Sequence, residues 1–205
     1  EPSLTVGYKG FSMNVWGNLD TSYAGNENED SKWNETDFTV SYDTELGPFA
    51  VGVGYIYYAL DSVNDSQEFY GSVGWNVFLS PTFTVYKEIA HMPAWYMTFG
   101  LSHSIDLPRG MSLDFAGSVS YYYSEDNDFV EYNGDLEPTT TKYRDFHNGL
   151  ISAGLTIPFG KYFSVTPTVA YSFPLSDQAE NLIRATSFSD KSDFVYGGAT
   201  FSISF

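Results

Sequence analysis

The sequence predicts an all-β fold: one antiparallel up-and-down transmembrane β-barrel of about ten to twelve strands, in a bacterial outer membrane. Three observations predict it, namely alternating apolar and polar residues, abundant aromatic residues, and an alternation of short and long connections. The final segment shows the first of these clearly, because Val195, Phe201, Ile203 and Phe205 share one face of a strand and small polar residues share the other. Residues 1–205 are expected to form a single domain.

Composition favours this fold and excludes others. Aromatic residues make up 19% of the chain and charged residues only 17%, which suits aromatic girdles around an apolar band. No apolar run approaches the roughly 20 residues that a membrane-spanning helix needs. The chain has no cysteine, so disulfide frameworks and thiolate metal sites are excluded.

Alternation with a period of two predicts eleven strands and little helix. The first strand alternates Leu4, Val6 and Tyr8 on one face and is followed by a tight turn at 9–10. The second strand places Phe11 and Met13 on the outward face. Most of the runs are near the roughly 9–11 residues that a tilted strand needs to cross a bilayer. In chain order the predicted strands are 4–8, 11–20, 38–42, 49–58, 68–77, 82–89, 95–105, 111–123, 149–157, 163–173 and 194–205.

The connections between these strands alternate in length. Short turns are expected at 9–10, 43–48, 78–81, 106–110 and 158–162. Long loops are expected at 24–35, 61–67, 124–144 and 175–192, and only the short connection at 90–94 departs from the rule. Outer-membrane barrels have short periplasmic turns and long external loops, so this sorting favours a membrane protein over a soluble sandwich.

An odd number of strands conflicts with the even numbers of bacterial single-chain barrels. If Phe205 lies on the periplasmic side, the strand that starts at Leu4 begins outside the cell. One interpretation is that a strand and an external loop precede Glu1, which makes about twelve strands. The other is that the first hairpin is one bent strand, which leaves about ten.

Part of the chain resembles a known family. The stretch Tyr-Lys-Gly-Phe-Ser-Met-Asn-Val-Trp-Gly-Asn at 8–18, Asn-Glu-Thr-Asp at 34–37, and Gly-Val-Gly-Tyr-Ile-Tyr-Tyr at 52–58 followed by Gln67 and Glu68 are similar to segments of proteobacterial outer-membrane proteins of unknown function. The resemblance covers mainly the first third of the chain. It implies an outer-membrane location, a barrel, and a strand before the matched segment, but no activity and no catalytic residues.

The last strand also resembles the terminal signal that the outer-membrane insertion machinery reads. That signal combines a polar or aromatic residue, a glycine and spaced aromatic residues that end in Phe. The alternative interpretation is an edge strand that happens to end the domain. The residues that match the signal are Tyr196, Gly198, Phe201, Ile203 and Phe205.

The inward positions of the strands are the best indication of function. They carry mostly small hydroxyl, amide and glycine residues, which leave room for water, and almost no lysine or arginine. This pattern predicts a small passive channel for small polar solutes or cations. In the alternative, aromatic side chains close a non-conducting barrel that serves structure, adhesion or partner binding. The candidates for lining the lumen are Asp20, Glu88, Asp114, Trp16, Tyr58, Tyr70, Tyr86 and Tyr122.

Charge is concentrated in the predicted loops. The formal net charge of −17 repels nucleic acid and raises the local concentration of cations. The acidic residues are either simply solvated or are bridged by divalent cations to lipopolysaccharide phosphates of the outer leaflet. The loop acids are Glu27, Glu29, Asp30, Glu35, Asp61, Asp65, Glu125, Asp126, Asp128, Glu131, Asp135 and Glu137.

Catalysis is not expected, nor is a cofactor or a metal site. Of the three histidines, His91 and His103 fall in a loop and on an outward position. Only His147, beside Asp145 and Asn148, resembles the rim residues of barrel hydrolases. An Asp-x-His pair occurs often by chance, so we expect the protein not to be an enzyme.

Overall fold

A computed structural model describes residues 1–21 and 31–205 of the chain. It contains one large antiparallel sheet in which the strands are ordered β1-β2-β3-β4-β5-β6-β7-β8-β11-β12-β13, plus a two-stranded hairpin, β9 and β10. The strands are β1 Ser3–Tyr8, β2 Phe11–Asp20, β3 Lys32–Leu46, β4 Phe49–Leu60, β5 Ser66–Trp75, β6 Thr82–Glu88, β7 Ala94–Asp106, β8 Ser112–Ser124, β9 Val130–Tyr132, β10 Pro138–Lys142, β11 Arg144–Phe159, β12 Phe163–Pro174 and β13 Phe194–Ile203.

The prediction of an all-β, antiparallel, up-and-down arrangement is confirmed, with eleven strands in the main sheet. Within residues 1–21 and 31–205 the helical elements are α1, Asp177–Thr186, and a short 3-10 turn, Pro108–Gly110. No helix within the described ranges is long and apolar enough to span a membrane.

The sheet is not closed into a barrel. Strands β1 and β13 form its two edges, and each pairs with one neighbour. Because every neighbouring pair is antiparallel and the sheet has eleven strands, β1 and β13 run in the same direction. The edges nevertheless approach each other, since Glu1 and residues 196–200 line one cavity of about 320 Å³. The sheet therefore curls through most of a turn.

The two faces of the sheet differ in chemistry. One face, called here the apolar face, presents large apolar side chains to the surroundings on every strand, and Leu4 and Phe201 are 68% and 77% exposed. Side chains at paired positions fall on the same face, so the register joins these residues into continuous rows. One such row reads Val6, Met13, Val40, Tyr55 and Phe69.

The opposite, polar face carries small hydroxyl and amide groups that bond across strands. Ser12 and Ser41 share a hydrogen bond of 2.7 Å, and Asn14 donates to Thr5 over 2.7 Å. Glu1 shares its cavity with Thr168 and Ala170, which lie on this face of β12. The polar face is therefore the inner face of the curled sheet.

The predicted alternation of short and long connections is confirmed only in part, because 61–65 and 89–93 have five residues each, as many as 107–111 and fewer than 76–81. One end of the sheet, the short-turn end, has the connections 9–10, 47–48, 76–81, 107–111 and 160–162. In the first of these, Lys9 and Gly10 have φ values of 50° and 88°, the two positive φ angles that a type I′ hairpin turn requires. The other end, the long-loop end, carries 21–31, 61–65, 89–93, 125–143 and 175–193.

Two of the long loops fold into structure that the alternation pattern did not predict. The loop 125–143 contains the β9–β10 hairpin, and the loop 175–193 contains α1, which begins at the N-cap Ser176. The two loops pack together through Tyr143, Ala179 and Leu182, which are 0%, 0% and 3% exposed. We call these two loops together the lid, since they cover part of the long-loop end.

Candidate functional site

A row of tyrosines crosses the polar face below the lid. Tyr70, Tyr86, Tyr96 and Tyr122 are register partners on β5, β6, β7 and β8. Their successive ring centroids are 5.6, 6.1 and 6.2 Å apart. The row begins beside Gly54, where a Cβ atom would lie 2.4 Å from the Tyr70 ring. A glycine at this position therefore allows Tyr70 to lie close against β4.

Two glutamates lie next to the tyrosine row. Each is two residues from a tyrosine of the row along its strand, on the side nearer the long-loop end. Glu68 on β5 and Glu88 on β6 are register partners, so their side chains leave the same face directly opposite each other. Glu68 Oε2 accepts a hydrogen bond of 2.8 Å from the Tyr58 hydroxyl. Like charges at directly opposite positions destabilise a strand pair, so this pair is costly for the sheet.

Glu88 is held rigidly. It is 7% exposed, and its Oε1 accepts hydrogen bonds from Ser66 Oγ, Ala90 N and His91 N at 3.1, 2.9 and 3.2 Å. Its Oε2 is buried and has no hydrogen-bond partner among the described residues. One carboxylate oxygen of Glu88 is therefore fixed in position and left unsatisfied.

Toward the short-turn end the polar face carries smaller side chains, which leave more open space above the sheet. A cavity of about 520 Å³ is lined by Ser102, Ser104, Asp114, Thr166 and Thr168 among others. The carboxylate of Asp114 is well bonded, because it accepts hydrogen bonds from Ser104, Ser112 and Thr156 at 2.5, 3.0 and 3.1 Å. This part of the face has space for water and for small solutes.

The lid meets the tyrosine row at Tyr122. The Tyr122 ring lies 4.9 Å from that of Phe129 and 5.9 Å from that of Tyr143, centroid to centroid. Burial raises the pKa of the Tyr143 hydroxyl, so the group stays neutral, and it shares a hydrogen bond of 2.9 Å with His147 Nδ1. Ile183 of α1 lines a cavity of about 420 Å³ with Tyr96 and Tyr122. The helix therefore lies over the tyrosine row.

Ion pairs tie the rim of the long-loop end together. Lys87 Nζ lies 2.5 Å from Glu125 Oε2, and Trp95 Nε1 donates to Glu125 Oε1 over 2.9 Å. These two bonds lower the pKa of Glu125, so their stabilising effect is fully present above the ordinary glutamate pKa and is lost as the pH falls through the lowered pKa. Lys32 pairs with Asp61, and that pair, with the Ser62 hydroxyl, lowers the pKa of Asp61.

The predicted lumen-lining residues fall on one face. Register places Trp16, Tyr58, Tyr70, Tyr86, Tyr122, Glu88, Asp114 and Asp20 all on the polar face. Their role in a lumen stays a prediction. The structure brings together Tyr58, Tyr70, Tyr86, Tyr122 and Glu88, whereas Asp114 lies nearer the short-turn end. Among the loop acids, Glu27, Glu29 and Asp30 lie outside the described residues.

Several acidic residues of this face, Glu68 and Asp37 among them, were missed by the sequence analysis. Glu68 and Asp37 share the inward parity with Tyr70 and Thr39, and this parity is the signal that could have found them. Asp37 lies opposite Tyr58 in the register, and its Oδ1 is a second buried oxygen that has no partner in the described part of the chain.

The histidine that resembles a catalytic residue makes structural contacts. His147 bonds to Tyr143, while the neighbouring Asn148 Oδ1 accepts hydrogen bonds from Ser120 Oγ and the Tyr96 hydroxyl at 2.6 and 3.1 Å. Asp145 Oδ1 accepts a hydrogen bond from the following amide, at Phe146. These bonds hold the bulged start of β11 against β7 and β8.

In the described ranges, no three His, Asp or Glu side chains are placed together as metal ligands. In comparisons with known proteins, no family model, no curated protein and no solved structure matches this chain. A function is therefore assigned from the fold and the polar face.

Proposed function

We propose that the protein is an outer-membrane β-barrel that forms a small passive channel for small polar solutes or cations. The observation that carries the proposal is the contrast between the faces of the sheet. Every strand of the main sheet exposes large apolar side chains on the outer face, and the inner face is polar. Soluble monomers rarely expose apolar patches of more than a few hundred Å², and extensive ones mark membrane or protein contacts. A lipid bilayer covers such a belt on all sides.

The open edges support closure by one further strand. In the hydrocarbon core an unpaired strand edge is prohibitively costly, because each unsatisfied backbone group costs several kcal/mol, on the order of the transfer penalties in apolar solvents. Since β1 and β13 are parallel to each other, one strand that is antiparallel to both completes an all-antiparallel barrel. The total then becomes twelve, an even number as in bacterial outer-membrane barrels.

The orientation follows from the two ends of the sheet. Short turns face the periplasm in these barrels and long loops face outward, so the lid lies on the cell exterior. We propose that the acidic residues of the external loops contact lipopolysaccharide phosphates through divalent cations, and that the insertion machinery reads the terminal segment from Tyr196 to Phe205 during assembly.

A second candidate function is favoured by the lid. Its buried core of Tyr143, Ala179 and Leu182 holds α1 over the tyrosine row, which narrows one mouth of the curled sheet. In this alternative the barrel is non-conducting and acts in structure, adhesion or partner binding through its acidic loops.

Planar bilayer recording separates the two functions. Purified protein is reconstituted, and its folding is checked by circular dichroism and protease resistance. Steady unit currents with a cation bias are the result expected for the channel. Electrical silence from folded protein contradicts the channel and supports the second function.

The ion preference of the channel is expected to depend on the inner acids. Salt at ~0.15 M screens exposed charges beyond ~8 Å, so loop acids act mainly at the mouth, whereas acids in a narrow lumen are screened less. Neutralising Asp20, Glu88 and Asp114 together should abolish the cation preference in reversal-potential measurements. The matched loop variant, with Asp126, Asp128 and Glu131 neutralised, should change the preference only at low salt. The opposite order would place the selectivity in the loops.

Assembly is expected to depend on the terminal residue more than stability does. Phe205 is fully exposed, and its ring lies 6.1 Å from that of Tyr162, centroid to centroid. Because it makes few contacts, its deletion should slow insertion into the outer membrane while leaving the unfolding of folded protein nearly unchanged. Pulse-chase fractionation and urea titration measure the two effects. Normal outer-membrane levels of the deletion variant would contradict an insertion signal at this end.

A further inference from the structure

We propose that the polar face binds an organic ammonium ion between Glu68 and Glu88, with the tyrosine row as its aromatic wall. The inference rests on the proposed function, since it names the class of cation that the channel admits. The binding group consists of the two glutamates with Tyr58 and Tyr86, which we call the ammonium site.

The two facing carboxylates supply the charge. Directly opposite side chains in an antiparallel pair have Cβ atoms about 4.5–5.5 Å apart, so a positive group placed between Glu68 and Glu88 contacts both. The adjacent basic residue, Lys87, points to the apolar face, and its ammonium group contacts Glu125 at the rim. The like-charge pair therefore suits a cation that comes from outside the chain.

The unsatisfied oxygen of Glu88 supplies an acceptor. Three hydrogen bonds hold Oε1 and fix the carboxylate, while Oε2 is buried without a partner in the described part of the molecule. Buried acceptors are nearly always bonded, so such an atom calls for an explanation. An N–H group of a bound ammonium ion satisfies it with a charge-assisted hydrogen bond, the stronger kind.

The tyrosine row selects an organic cation over a metal ion. The faces of aromatic rings attract cations, most strongly when the cation sheds its water readily, and Tyr86, two residues from Glu88 on the same face of β6, is the ring beside the carboxylates. Calcium takes six to eight oxygen ligands, more than two carboxylates provide. An alkylammonium ion instead bonds through its N–H groups and packs its carbon chain on the rings. The rings of Tyr96 and Tyr122 continue the row beyond Tyr86, with centroids 6.1 and 6.2 Å apart in succession, and provide the surface for a longer carbon chain.

The probe for the test is n-butylammonium, added to the full chain folded in detergent micelles and measured by isothermal titration calorimetry. The uncharged 1-butanol and the potassium ion are the comparison ligands. We expect n-butylammonium to bind, 1-butanol not to bind, and potassium at matched ionic strength to compete only weakly. Equal competition by potassium would overturn the proposal, because it would show a general negative field rather than an ammonium site.

Variants locate the site. Glu88→Gln keeps the shape of the side chain and should weaken n-butylammonium binding about ten- to hundredfold, as the loss of a charged hydrogen bond does. Tyr86→Leu should weaken it about fivefold. The control is Asp43→Asn, which removes a carboxylate on the same face but nearer the short-turn end, where it accepts from Ser41 Oγ over 3.0 Å. The affinity of Asp43→Asn for n-butylammonium should match that of the parent protein. A loss of affinity in this control equal to that in Glu88→Gln would overturn the proposal.

The design separates this inference from the proposed function. If Glu88→Gln does not fold, Glu68→Gln and Tyr86→Leu test the same site. Binding in micelles does not require conduction. Cation currents without n-butylammonium binding contradict the ammonium site and leave the channel proposal intact. Binding of n-butylammonium by an electrically silent barrel contradicts the channel and leaves the ammonium site intact.

Discussion

Arginine in place of Val119 should lower the free energy of unfolding by roughly 2–4 kcal/mol, the cost of a basic side chain on the lipid face at mid-bilayer. Val119 lies in the middle of β8, is 40% exposed, and pairs with Phe99 and Gly149 on the apolar face. The carbon stem of arginine can reach toward the interface, but the guanidinium group still loses much of its hydration.

The adjacent position provides the control. Ser118 lies on the polar face, opposite Gly100 and Leu150, and lines a cavity of about 220 Å³. Arginine at Ser118 therefore faces water, and its penalty should be clearly smaller. Urea titration of both variants in lipid vesicles measures the two free energies of unfolding. Equal penalties would contradict the membrane orientation of the two faces.

Aspartate in place of Leu182 should release the lid without unfolding the sheet. Leu182 is 3% exposed and packs in the lid core with Tyr143 and Ala179. Deleting such a side chain costs about 2–5 kcal/mol, and a buried unpaired carboxylate adds to that. Because local opening governs proteolysis, trypsin cleavage after Arg184 should be about thirtyfold faster or more, while the strands remain resistant.

The control for the lid uses the same chemistry at an exposed position. Phe188 follows α1 and is 88% exposed, so Phe188→Asp should leave cleavage after Arg184 unchanged. If the channel conducts, Leu182→Asp should also raise the unit conductance, because α1 lies over the tyrosine row. Unchanged cleavage in Leu182→Asp would show that the buried core does not hold the lid in place.

The sequence alone was sufficient for the existence of the eleven strands of the main sheet, their up-and-down order and their faces, but not for the β9–β10 hairpin. A strand alternates its side chains with a period of two, so the face of Tyr86 or Val119 follows from its immediate neighbours along the chain. The short turns were predictable for the same reason, since Lys9 and Gly10 carry the local signal of a hairpin. All these features depend on residues close together in sequence.

The tertiary structure alone decided which inner residues meet. Glu68 and Glu88 are twenty positions apart, and only the register of β5 and β6 places them opposite each other. The alternation pattern also does not predict α1 or the lid core, because Leu182 becomes buried only against Tyr143 from another loop. Periodicity reports the face of a side chain, whereas its partners across the sheet depend on contacts between segments distant in the chain.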